Sequence, residues 1–77
     1  DLDLRGMAAD EAMPEIDRFL DNAVMCGMET VTIIHGKGTG ALRAAVQQSL
    51  RRNKQVKSFR LGRYGEGETG VTVVELK

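Results

Sequence analysis

Two short clusters in this chain carry residue types capable of phosphate chemistry: Asp3, Arg5 and Gly6 near the start, and His35, Gly36, Lys37, Gly38, Thr39 and Gly40 near the middle. A histidine can take or give a proton at physiological pH, so His35 could serve as base or acid to a phosphodiester or donate to its developing oxyanion. Asp3 could orient that imidazole or hold a divalent ion. Arg5 and Lys37 would bind the phosphate and stabilise charge on pentacoordinate phosphorus. The alternating glycines let an anion approach the backbone, and a helix opening behind them would add unpaired amide hydrogens and the positive end of its dipole. The spacing is neither that of a Walker loop nor that of the dinucleotide GxGxxG. Plainer roles exist for each residue: a core-edge histidine bonded to a backbone carbonyl, an aspartate capping a turn, cations that attract without touching. A lone histidine cannot provide the two-histidine pair of some ribonucleases. Of the carboxylates only Asp1, Asp3, Glu66 and Glu68 could gather at such a site, which is thin for two metals. No metal ligands are assigned; the one cofactor expectation is Mg²⁺ or Mn²⁺ for cleavage.

Charge adds a second clue. Eleven basic and eleven acidic residues cancel over the 77-residue chain, yet the stretch from His35 to Arg63 holds Lys37, Arg43, Arg51, Arg52, Lys54, Lys57, Arg60 and Arg63 with no acid. A compact fold must then carry one positive side, the footprint of a polyanion partner. Gly36, Gly38, Thr39 and Gly40 with Arg43, Arg51, Arg52, Lys54 and Arg63 are the candidate nucleic-acid contacts. Tyr64 could stack on an unpaired base, although Phe19 and Phe59 belong to core and strand and form no aromatic platform.

The elements that must position these groups follow from periodicity. Asp1 to Leu4 alternates and reads as a short strand. Ala12, Ile16, Phe19, Leu20, Ala23 and Val24 form a helical stripe closed by Gly27, with Pro14 either near its start or inside a kinked first turn. Thr30 to Ile34 is a β-branched run suited to a central strand covered on both sides or at least paired on both edges. Ala41 to Leu50 is a second helix, with Thr39 as its N-cap, Asn53 as its end, and Arg43, Gln47 and Arg51 on one ridge. Val56 to Leu61 and Val71 to Leu76 are strands joined by a glycine-rich connection. The order βαβαββ predicts an α/β two-layer sandwich: two helices on a mixed four-stranded sheet, three strands parallel through right-handed crossovers and the last antiparallel beside the third. The first two strands then end on one rim, where ligands of such sheets bind.

Size and composition bound the rest. A chain this short supports one core, and its single cysteine excludes an internal disulfide and paired-thiolate zinc patterns. Cys26 is expected to be buried and inert, and Met7, Met13, Met25 and Met28 to fill core space around the first helix. No apolar run reaches the roughly 18 residues of a membrane span and no signal peptide is read, so the expected location is cytoplasmic. The start at Asp1 suggests a domain excised from a longer polypeptide.

Leu2-Asp3-Leu4-Arg5-Gly6, then His35 through Arg43 (HGKGTGALR), then Glu66-Gly67 with Gly70-Val71-Thr72-Val73-Val74-Glu75-Leu76 resemble the Smr (small MutS-related) domain across nearly the whole chain. The arginine form of the first motif and the HGKGTGALR stretch are most similar to the Smr domain that closes bacterial MutS-II paralogues. Many stand-alone members have histidine where Arg5 stands. The last motif often reads GGxG, and Glu68 takes the place of its second glycine. The resemblance implies a sandwich like the C-terminal domain of translation initiation factor three. It also implies DNA or RNA binding and, in several members, structure-sensitive nicking, with Asp3, Arg5, His35, Gly36, Lys37 and Gly38 at the site. A dimeric parent ATPase acting in recombination control or on collided ribosomes is implied as well. The expectation is a nucleic-acid-binding domain that nicks branched DNA or RNA. The alternative is a non-catalytic module that delivers its ATPase to nucleic acid or ribosome; a mononucleotide site is the poorer third reading, lacking a ribose-binding acid and a Walker serine.

Overall fold

A computed structural model of the chain describes residues 1–38, 40–65 and 68–77. The elements run β1 (Leu2–Asp3), α1 (Ala9–Met25), β2 (Thr30–Ile34), α2 (Ala41–Arg52), β3 (Val56–Leu61), a 3₁₀ turn (Glu68–Gly70) and β4 (Val71–Leu76). No helix among the described residues is long and apolar enough to cross a membrane.

α1 buries Ala12, Ile16, Leu20 and Ala23, a stripe at four-, four- and three-residue spacing. It starts ahead of Pro14, at Ala9, where the Glu11 carboxylate accepts the Ala8 amide at 3.1 Å and leaves Pro14 inside the helix. Its other end closes as a Schellman motif: the Gly27 amide donates to Val24 and the Met28 amide to Ala23, each at 3.0 Å. α2 opens at Ala41, where the sequence predicts it, but with a different cap. Gly40, not Thr39, is its N-cap, with no side-chain capping bond, and Thr39 lies outside the described residues. Asn53 is the C-cap, as expected.

The sheet order is β1-β2-β4-β3, with β1 and β2 parallel and β4 antiparallel to both of its neighbours. The last strand does lie antiparallel beside the third, but it also inserts against β2, so β2 and β3 never touch. Burial explains the choice. In β4 only Glu75 is exposed, which suits an inner strand, whereas β3 carries exposed Lys57 and Ser58 and a bulge between Val56 and Ser58, the marks of a blunted edge.

Val31 and Ile33 of β2 and Val74 and Leu76 of β4 share the core with Ile16 and Leu20 of α1 and Val46 and Leu50 of α2. Both helices therefore cover one sheet face, the two-layer α/β sandwich the element order predicts. Two expectations about small apolar residues fail. Met25 is 84% exposed, Met7 and Met28 are exposed too, and Cys26 is exposed rather than buried. The helical stripe faces the core through smaller and branched side chains, and the residues that follow it at the turn out of α1 point away.

Candidate functional site

Parallel pairing of β1 with β2 matches Asp3 with Ile34, and the Leu4 amide donates to the Ile34 carbonyl at 2.7 Å. The turn after β1 and the loop after β2 therefore leave the sheet side by side, as strand direction requires. Arg5 lies against the second loop: a Cβ built on Gly36, whose φ is +80°, would sit 3.5 Å from Arg5 Cγ. A Cβ there would only touch the arginine, and it is the positive φ that favours glycine. Arg5, Ile34, Gly36, Gly70 and Val71 line an open cavity of about 250 Å³.

Arg5 and Lys37 are each held by a carboxylate. Arg5 Nη2 donates to Asp3 Oδ2 at 2.7 Å and its Nε to Oδ1 at 3.0 Å, while the Arg5 amide adds a third bond to Oδ1 at 3.0 Å. The two-pronged bond from the guanidinium, then the amide bond, hold the Asp3 carboxyl down at about 2 and push the Arg5 guanidinium up. Lys37 Nζ donates to Glu68 Oε2 at 3.3 Å.

His35 is 5% exposed, and both its ring nitrogens are bonded. Nδ1 lies 3.0 Å from the Gly36 carbonyl oxygen, which can only accept, so in the neutral ring the hydrogen is assigned to Nδ1. Nε2 then accepts from the Thr72 hydroxyl at 2.8 Å. Thr72 is fully buried on β4. From the same stretch, the Gly70 carbonyl accepts the amides of His35 at 3.1 Å and Gly36 at 2.9 Å. The start of β4 thus holds the histidine loop by one side-chain and two backbone bonds.

The structure brings Asp3, Arg5, Gly36 and Lys37 together with His35 just beneath, and α2 opens from Gly40 at the same end. Arg43, in the first turn of α2, reaches back so that its Nη2 lies 3.3 Å from a Cβ built on Gly40. Gly38 meets nothing within 4 Å of such a Cβ and stands open on the loop. Arg51, Arg52 and Lys54 are elsewhere: twelve helical residues carry the chain about 18 Å from the rim. Arg63 comes back toward the rim because β3 runs in the same direction as β2. Tyr64 beside it is 95% exposed.

Thr72, Gly70 and Gly62 escaped the sequence reading. Gly62 is demanded by proximity, since a Cβ there would stand 2.5 Å from Val71 Cγ2 and 2.8 Å from the Glu68 carbonyl oxygen. Thr72 did leave a signal. It falls on the same strand face as Val74 and Leu76, and a hydroxyl in an apolar row needs a buried partner.

Among the described residues no three histidine, cysteine or acidic side chains converge, and both Asp3 oxygens are spent on Arg5.

Comparison with known proteins agrees with this geometry. The model of the Smr domain family matches residues 2–77. The chain belongs to the Smr domain family. It is 61% identical over 77 residues to the endonuclease MutS2 of Ruminiclostridium cellulolyticum and 60% identical over 76 residues to that of Caldicellulosiruptor bescii. These matches cover 100% and 99% of this chain but 10% of either relative, so the chain spans about a tenth of their length. The crystal structure of the Smr domain of Thermus thermophilus MutS2 superposes with a TM-score of 0.96 at 50% identity, covering 99% of this chain and 95% of that one. YdaL, a stand-alone small MutS-related protein from Escherichia coli, superposes with a TM-score of 0.93 at 26% identity over 99% of this chain and 63% of its own. The Smr sandwich is therefore the same in a stand-alone protein and in the Smr domain of a MutS2 protein.

Proposed function

We propose that this Smr domain docks a nucleic-acid phosphodiester at the rim where β1 and β2 end and nicks it, acting on branched or otherwise structured DNA or RNA. The relatives that share its sequence are endonucleases, and this reading assigns to the domain a part of their activity. The observation that supports it is the packing of Arg5 against Gly36, which puts Arg5 on an opening lined also by Ile34, Gly70 and Val71, with Lys37 the next residue along the loop. There both would meet the non-bridging oxygens of a phosphate and stabilise the charge that builds as water attacks phosphorus and the ester bond breaks. Asp3 is a poor base at a pKa of about 2, and its role is to hold Arg5. His35 is the proton-transfer group, and Nε2 must exchange the Thr72 hydroxyl for water or for the leaving oxygen before it acts.

That requirement favours a second reading, in which the domain is a binding module that delivers a MutS-like ATPase to nucleic acid or ribosome and His35 does no more than brace the loop. A nicking assay on supercoiled and branched DNA and on structured RNA, with Mg²⁺, with Mn²⁺ and with chelator, separates the two. Loss of nicking in His35→Ala with binding retained, and loss of nicking with weakened binding in Arg5→Ala and Lys37→Ala, supports the nuclease. Binding without cleavage by the unaltered chain supports the module. Nicking unchanged by His35→Ala removes the histidine from the chemistry.

A further inference from the structure

We propose that Glu68 is a built-in competitor for the phosphate site: its carboxylate occupies the Lys37 ammonium, and a docking phosphodiester must displace it. The inference rests on the phosphate-docking reading above and adds to it an intramolecular ligand that sets affinity.

Three observations carry it. Glu68 Oε2 lies 3.3 Å from Lys37 Nζ, across 31 residues of sequence, so the pair joins two loops rather than two turns of one element. Glu68 is also the one non-glycine among the described residues with a left-handed backbone, at φ +52°. That conformation disfavours a residue with a side chain, and such outliers gather where a side chain is used. Finally, the scaffold beneath the pair does not depend on it. Gly62 lets the Glu68 backbone approach as closely as it does, and the Gly70 carbonyl already fixes the histidine loop through the His35 and Gly36 amides. The ion pair lies on top of this, with both side chains about half exposed or more. Such a pair is weak in water and open to exchange, so a phosphate can replace the carboxylate without unfolding either loop.

The consequence is electrostatic. While Glu68 remains paired, the Lys37–Glu68 pair brings no net charge to a polyanion; once the carboxylate is removed, Lys37 brings one. Glu68→Gln keeps the shape of the side chain and deletes the charge.

The test is a double-mutant cycle read by fluorescence anisotropy with a labelled four-way DNA junction across a salt series, using the unaltered chain, Glu68→Gln, Lys37→Ala and the double variant. Glu68→Gln is expected to bind about three- to tenfold more tightly. Its plot of log affinity against log salt should be steeper by about 0.9, one more phosphate neutralised. Placed on Lys37→Ala, the same change should have little effect. An unchanged affinity in Glu68→Gln overturns the proposal, and so does an equal gain with and without Lys37, which would make Glu68 a diffuse repeller of polyanions. If Lys37→Ala alone binds as tightly as the parent, phosphate docking at Lys37 fails and the inference falls with it.

Discussion

The rim and the α2 ridge are both basic, yet they differ in how the charge is held. At the rim Arg5 is tied to Asp3 and Lys37 to Glu68, over a loop anchored by His35, Thr72 and Gly70. On α2, among the described residues, Arg43, Arg51 and Arg52 form no ion pair with any acid. A cation held in place by a neighbouring acid has lost much of its long-range field but kept its position; an unpaired one on a helix surface keeps the field and gives up the position. The ridge should therefore draw a polyanion in from solution, and the rim should decide where one phosphate comes to rest.

The comparison breaks most visibly in rate. Arg5→Ala or Lys37→Ala should cut nicking about 100-fold, the usual cost of losing one donor to developing charge, whereas Arg51→Ala with Arg52→Ala should leave the rate at saturating substrate nearly unchanged. A comparable loss from the ridge would erase the distinction. Stability sharpens it next. Thr72→Val leaves His35 Nε2 buried without a donor and should cost about 1–3 kcal/mol in denaturant unfolding, while Thr72→Ser, which keeps the hydroxyl, should cost less. Truncation of Arg51, exposed on the ridge, should be near neutral by the same measurement.

Salt dependence probes the ridge itself. Arg51→Ala and Arg52→Ala should each flatten the plot of log affinity against log salt by about one phosphate contact, equally for any nucleic-acid sequence. The smallest effect is a titration. Asp3 has a folded-state pKa of about 2 against an ordinary 3.8. A depressed carboxyl supports the fold above its unfolded pKa, so its contribution is intact above about pH 4 and is lost as pH falls from there toward about 2. Carboxyl NMR should give that midpoint, and in Arg5→Ala it should move back toward 3.8.

Much of this was legible in the sequence. β3 and β4 have the bounds that their β-branched and apolar content predicts, and α1 the buried stripe that its spacing predicts, because burial of one face imposes the period. The convergence of the Asp3 turn with the histidine loop followed from strand direction alone. The unread parts depend on neighbours distant in the chain: β4 sits beside β2 because its burial suits an inner strand, and Met25, at the end of α1, stays exposed while Ile16 and Leu20 fill the core.

The local pattern of the chain thus determined which segments form helices and strands, which faces are apolar and where the cations cluster, since these depend on residues a few positions apart. The tertiary structure alone decided which acid holds which cation across the rim, that Thr72 binds His35, and that Gly62 has no room for a side chain. Those facts are distances between segments about six to forty residues apart, and distances of that kind exist only once the sheet order has closed.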